Sequence, residues 1–159
     1  MDKRAVILLV IEQIAKDLEG IVASAKASHA EATHEQNKPE NKYDTRALEA
    51  SYLAHGQSRH LAELERSKQE FESLSLADSP PGTPIDVGAL VILQHRKESI
   101  AYLLGPRAGG TEVTSDGTLV TVITPQSPLG RQLLGKAQGE SIVLPSDSDQ
   151  RPFKIQRVW

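Results

Sequence analysis

The sequence predicts an α+β protein: a long N-terminal antiparallel α-helical coiled-coil hairpin, then a small C-terminal β-sheet domain with one short helix. Three observations predict it. Of 11 glycines only Gly20 and Gly56 precede residue 79, and of 9 prolines only Pro39 does, so chain-breaking residues fall almost wholly in the second half. Apolar residues recur at alternating spacings of four and three through the first half. Short β-rich runs separated by turn clusters fill the rest.

The 159 residues suit one ordinary domain or two small elements sharing a core, which excludes a large multidomain enzyme. With Lys+Arg 18 against Asp+Glu 21 there is no basic field to hold bulk duplex nucleic acid. Zero cysteines exclude a disulfide framework, a thiolate metal site and a thiol nucleophile. Aromatics are 4% of residues, so the core must be aliphatic. The opening Met1-Asp2-Lys3-Arg4 before the apolar run Ala5 to Ile11 has the polarity of a signal peptide. Glu12 interrupts that run, no small-residue cleavage site follows, and helical spacing continues, so it reads as mature helix. No run approaches the ~20 apolar residues that span a bilayer. A soluble, cytoplasmic protein is expected.

The hairpin occupies residues 1–78. Ile7, Ile11, Ile14, Leu18, Ile21, Ala25, Ser28 and Ala32 form one heptad seam. Ala47, Ala50, Ala54, Gln57, Leu61, Leu64, Lys68 and Phe71 form a second, after a break containing Pro39. Folded back with a tip at about 36–44, the seams register: Ala32 meets Ala47, Ala25 meets Ala54, Leu18 meets Leu61, Ile14 meets Leu64 and Ile7 meets Phe71. Ile21 faces Gln57 and Ile11 faces Lys68, whose stem can cover apolar surface while its head stays wet. Small residues toward the tip predict close approach and a slim end, and Ile, Leu and Phe predict a sturdy base. A helix from about Lys3 to His34 is on the order of 45 to 50 Å long. The competing arrangement is dimerisation of these helices with another chain as a scaffold; the matched register and short turn favour an intramolecular hairpin and a monomer.

Asp78-Ser79-Pro80-Pro81-Gly82-Thr83-Pro84 reads as a proline-stiffened linker over 79–84. Charge changes there too: residues 1–78 carry 10 basic and 14 acidic residues, and 79–159 carry 8 and 7. In the domain 85–159, strands are expected at Leu90–Leu93, Ile100–Leu104, Leu119–Ile123, Ser141–Leu144 and Phe153–Val158. A short helix is expected from Pro128 to Leu134, with Ser127 as N-cap, Pro128 at its first position and Gly135 ending it.

The run Ser127-Pro128-Leu129-Gly130-Arg131-Gln132-Leu133-Leu134-Gly135-Lys136-Ala137-Gln138-Gly139-Glu140, following a long helical hairpin, resembles the GreA/GreB family of bacterial transcript cleavage factors. The pattern S-P-L-G-x-x-L-L-G-K-x-x-G-E is the specific part; the likeness is strong over about Pro125 to Leu144 and loose in the hairpin. The resemblance implies an FKBP-like C-terminal domain that docks on the rim of the RNA polymerase secondary channel, through Gln126, Ser127, Pro128, Leu129, Gly130 and Lys136 here. It implies a hairpin that enters the channel, where tip carboxylates help polymerase hold a Mg²⁺ and orient the attacking water. The chain would then be a regulator of elongation with no catalytic residue, metal or cofactor of its own, and DNA would be met only through polymerase.

The tip departs from the family pattern. Asp44 and Arg46 match D-x-[KR], but Ala47, or Leu48 if Tyr52 is matched to the family's tyrosine with one inserted residue, stands where the second acid belongs, and Glu40 and Glu49 are the candidate substitutes. Two outcomes follow: stimulated cleavage of backtracked RNA, or occupation of the channel in competition with cleavage factors. Asp44 also suits an N-cap or first-turn acid of the second helix. Glu49 lies about 140° around that helix from Asp44. Lys38, Lys42 and Arg46 are placed to meet phosphates of an extruded RNA 3′ end, or simply keep a loop soluble. His29, His34, His55 and His60 are too spread to share an ion. Prolyl isomerisation needs an aromatic-lined pocket, for which Tyr102, Phe153 and Trp159 are too few.

Overall fold

The computed structural model describes residues 1–32, 46–80 and 82–159, with the side chains of 28–55 excepted. Its elements are α1 (Lys3–Ala32), α2 (Arg46–Glu72), β1 (Leu90–His95), β2 (Glu98–Leu104), β3 (Glu112–Ser115), β4 (Thr118–Ile123), α3 (Pro128–Leu133), β5 (Ser141–Val143) and β6 (Pro152–Val158). They divide into two compact units, one of residues 1–13 with 69–159 and one of residues 14–68. The root of each long helix thus belongs to the same unit as the sheet. Among the described residues no helix is long and apolar enough to cross a membrane.

In the unit of residues 14–68, burial along α1 narrows to single positions three and four apart. Leu18, Ile21 and Ala25 are half-buried while Val22 and Ala23 are exposed. Along α2, Gln57, Leu61, Leu64 and Lys68 are half-buried, again with the heptad spacing. Leu18 and Val22 of α1 and Leu61 of α2 line one shallow cavity of about 390 Å³. The Ser67 hydroxyl donates back to Glu63 O at 2.9 Å, which satisfies a polar side chain that is otherwise buried.

The other unit is a six-stranded mixed sheet in the order β3-β4-β2-β1-β6-β5. Only β2 and β4 pair in parallel; a bulge interrupts β1 against β6 between Ile92 and Leu93. The α+β class holds, but β3 is an addition to the five expected strands. Its run Glu-Val-Thr-Ser is only four residues long, and the tight Asp116-Gly117 turn, with both residues at positive φ, pairs it with β4.

Buried residues line both sheet faces. On one, Val91, Leu93, Leu104, Ile123, Phe153 and Ile155 form a single cluster with Leu129 and Leu133 of α3 and with Ile85, Ile142 and Leu144. By alternation the opposite face carries Leu90, Ala101, Leu103, Val120 and Val122, all buried. Phe71 lies on that face: a Cβ added to Gly105 would stand 2.6 Å from Phe71 Cζ and 2.8 Å from Val122 Cγ1. In the same unit Val6, Ile7 and Val10 of α1 have no exposed surface. Lys3, only 4% exposed, lays its stem inward and donates from Nζ to Ala77 O at 2.8 Å. Burial lowers its pKa, partly offset by Asp78. Arg107 Nε meets Glu70 Oε1 at 2.8 Å in a half-exposed pair, which is worth at most about 1 kcal/mol.

The missing side chain at Gly105 is the space the Phe71 ring uses. Gly105→Ala is expected to cost about 1–3 kcal/mol by overpacking, and Phe71→Ala about 3–5 kcal/mol by leaving a cavity. Because the ring is what the added methyl strikes, the double substitution should cost less than the sum. Urea unfolding midpoints check this; strict additivity would contradict the contact.

Candidate functional site

Ser127 to Glu140 builds a platform whose pieces satisfy one another. Ser127 sits in extended backbone (φ −68°, ψ 153°) ahead of α3 and caps it, accepting from Gly130 N at 2.9 Å. The same hydroxyl donates to Thr124 O at 2.8 Å, and Ser127 N donates to that carbonyl at 3.0 Å. Pro128 fills the first helical position, where its missing N–H costs nothing. Leu129 and Leu133 point into the core. Gly130 has no room for anything larger, because an added Cβ would clash with Thr124 O. Helical propensity alone would disfavour glycine here; the close approach requires it.

The exit from α3 is equally constrained. Leu134 N bonds Gly130 O at 2.9 Å, and Gly135 turns the chain with φ +79°. Gly135 N then bonds Ile85 O at 2.8 Å, and Ile85 N bonds Lys136 O at 2.7 Å, which pins α3 to the segment preceding β1. Gly139 turns again at φ +99°, with its N–H on Ile155 O at 2.8 Å. Glu140 closes the loop: one carboxylate oxygen accepts from Ala137 N at 2.6 Å and the other meets Lys136 Nζ at 3.0 Å. The Ala137 N–H, then Lys136, hold the Glu140 carboxyl below its ordinary value of 4.5.

With those roles filled, the outward surface of the platform is Gln126, Pro128, Arg131, Gln132, Gln138 and Leu134, a leucine that is 44% exposed. Beside it an open groove of about 320 Å³ runs between α3 and the sheet edge, lined by Gln132, Lys136, Ser141, Ile142, Val143 and Pro152. The structure thus brings together Gln126, Ser127, Pro128, Leu129, Gly130 and Lys136, but divides them by role. Ser127, Leu129 and Gly130 serve the fold, Gln126 and Pro128 face outward, and Lys136 is engaged with Glu140. Leu134 as an outward apolar residue was not singled out by the sequence, because it stands next to core Leu133 in an unbroken apolar pair. Thr124 was missed as well, since its part is played by its backbone carbonyl.

Asp44, Glu40, Lys38 and Lys42 lie outside the described residues. Arg46 and Glu49 belong to α2, with side chains outside the described set.

No family model matches the chain, and no curated protein matches it. Among solved structures, the GreA factor homolog 1 (Gfh1) protein of Thermus thermophilus aligns over 94% of this chain and 94% of its own, at 18% identity and a TM-score of 0.40. Thermus aquaticus Gfh1 aligns over 92% of each chain at 17% identity and 0.41. The elongation factor GreA/GreB from Nitrosomonas europaea aligns over 72% of this chain and 94% of its own, at 21% and 0.36. At these scores the likeness decides nothing about activity.

Replacing the cap by Ser127→Ala should cost about 0.5–2 kcal/mol. Gly130→Ala should cost more, because backbone must move to relieve the clash with Thr124 O. Thermal or urea unfolding of the two variants gives the order; a Gly130→Ala cost below that of Ser127→Ala would contradict it. The Glu140 loop closure is present above the carboxyl's ordinary value and lost as pH falls through its depressed folded value. The Ala137 amide proton shift should therefore titrate with a midpoint below 4.5, and a midpoint at or above that value would show the contact absent.

Proposed function

We propose that the protein is a GreA/GreB-like regulator of transcription elongation that binds RNA polymerase, docking through the outward surface of the α3 platform. The observation that carries this reading is the S-P-L-G-x-x-L-L-G-K-x-x-G-E run, folded as a self-capped unit that spends Ser127, Gly130, Gly135 and Glu140 on its own rigidity. What it leaves outward, around Gln126, Pro128 and Leu134, is a small fixed patch with an apolar centre, suited to protein contact. The two long helices support the same reading. In it they pair within one chain, and the chain between them, with Asp44 and with Glu40 or Glu49, reaches the polymerase catalytic centre through its secondary channel. Hydrolysis of backtracked RNA is then the polymerase's own two-metal chemistry, to which this chain adds carboxylate oxygens that favour a hard cation. Lys38, Lys42 and Arg46 steady the phosphates of the RNA 3′ end.

Ala47 in place of the second acid favours a second reading, in which the chain occupies the channel and competes with cleavage factors without stimulating cleavage. Both readings require binding, so competition against a GreA-type factor on purified polymerase tests what they share. Displacement is expected, and Leu134→Asp should weaken it roughly tenfold or more, as removal of an apolar contact from an interface centre does. Failure to displace at any concentration would overturn both. Addition to stalled, backtracked complexes then separates them. In the first reading RNA cleavage accelerates, and Asp44→Asn reduces the acceleration roughly 10–100-fold while leaving competition unchanged; in the second, wild-type protein slows cleavage by the competing factor.

A further inference from the structure

The sheet face that α3 covers is only partly covered. Glu98, Ile100 and Tyr102 alternate onto it from β2, beside Leu93 and Val91 of β1. The parallel register puts Thr121 beside Tyr102 and Leu119 one step before the Ala101–Val120 pair, and the antiparallel register brings Thr114 and Glu112 of β3 opposite Leu119 and Thr121. Where β1, β6 and β5 carry this face, Leu129 and Leu133 of α3 bury it. Over the rest of this face, on β2, β4 and β3, the cover is incomplete among the described residues: Leu119 is 53% exposed, Glu112 and Thr114 are exposed, Thr121 is half-buried, and Ile100 and Tyr102, which pack against the α3 cluster, are half-buried too. The alternate residues of β3 and β4 on the other face, Val113, Ser115, Val120 and Val122, are buried. The openness is therefore confined to one face.

The two charged side chains that β2, β3 and β4 place on this area, Glu98 and Glu112, are both acidic. Glu98 stands at one end and Glu112 at the other. Glu112 accepts a long bond from Thr121 Oγ1 at 3.4 Å and meets no cation among the described residues. Glu98 has one partner, Arg151 Nη1 at 3.4 Å across a half-exposed pair. Burial, and then Glu98, raise the pKa of the Tyr102 hydroxyl, so its oxygen stays a neutral donor.

We propose that the Ile100–Tyr102–Leu119 face of the sheet is a second docking surface, and that its occupant is a basic amphipathic helix of a partner protein. Dimensions fit: three strands span about 10 Å, and Glu98 to Tyr102 about 13 Å, against a helix about 10–12 Å wide with a 5.4 Å pitch. A helix is what the neighbouring part of the same face already accepts, in α3. An apolar stripe would cover Leu119, Ile100 and Tyr102, and Lys or Arg on its flanks would meet Glu98 and Glu112. Leu119 is the second residue of β4, whereas Ser127 follows the end of that strand by four residues, so the exposed part of this surface around Leu119 and Glu112 is not part of the α3 platform, and the proposal does not depend on the polymerase reading.

The test is a titration of the full-length ¹⁵N-labelled chain, followed by amide shifts, with three synthetic peptides. One is a Leu/Lys helix with a single apolar stripe, the second replaces each Lys by Glu, and the third scrambles the first so that no stripe forms. The basic amphipathic peptide should shift amides of 98–102, 112–115 and 118–121 saturably. The acidic and scrambled peptides should bind about tenfold more weakly or worse, and salt should weaken the basic one. Leu119→Ser, at an exposed position with little bearing on folding, and Glu112→Gln should each reduce affinity several-fold, with the remaining amide spectrum unchanged. Shifts centred elsewhere, equal binding of the acidic or scrambled peptide, or unaltered affinity of Leu119→Ser would overturn the proposal.

Discussion

The fold depends on one steric complementarity: an aromatic ring at the end of α2 uses the space that Gly105 leaves at the end of β2. Phe71, with no exposed surface, belongs to the same unit as the sheet although it lies more than thirty residues before Gly105 in the chain. Val6, Ile7 and Val10 at the start of α1 are as completely buried. The end of α2 is therefore rooted in the sheet, and the start of α1 belongs to the same compact unit. Lys3 adds a polar tie, its ammonium on the carbonyl of Ala77 just beyond α2, so the first turn of one helix and the exit of the other are held together. Large apolar burial does most of this stabilising, at about 25 cal/mol per Å², and the hydrogen bonds fix direction.

With Phe71 of α2 on one sheet face, the other is left for α3 and whatever it presents. Rigidity there comes from reciprocal satisfaction: Ser127, Thr124 O and Gly130 N share one set of bonds, and Lys136, Ala137 N and Glu140 share another. Glycines at 130, 135 and 139 are required for two different reasons, close approach at the first and left-handed backbone at the other two. A platform so constrained holds its outward residues in place before any partner arrives, which lowers the entropic cost of binding.

What the sequence made legible was whatever local physics decides. The heptad spacing of Leu18, Ile21 and Ala25, and of Gln57, Leu61, Leu64 and Lys68, reappears as the half-buried positions of the two helices. Ser127-Pro128 announced a helix start because capping and proline's fixed φ are properties of adjacent residues. Non-local decisions were not legible. The β2–β4 parallel pair, the close packing at Gly105 and the carbonyl over Gly130 join residues whose neighbours in the chain give no sign of the meeting. The open face around Leu119 was hidden for the same reason, since alternation shows that a strand has two faces but not which one stays uncovered. Residues 33–45, which include Glu40 and Asp44, lie outside the described residues.

The functional account needs the two long helices to pair within one molecule, since a channel-entering tip exists only if α1 and α2 run back along each other. Leu18 and Leu61 line the same cavity, and the chain has no cysteine of its own, so a Leu18→Cys/Leu61→Cys variant treated with a short thiol-specific crosslinker reports the pairing directly. The account predicts an internally linked monomer of 17.3 kDa, with the yield independent of protein concentration. Covalent dimers whose yield rises with concentration, or no linkage in a folded protein, would contradict it.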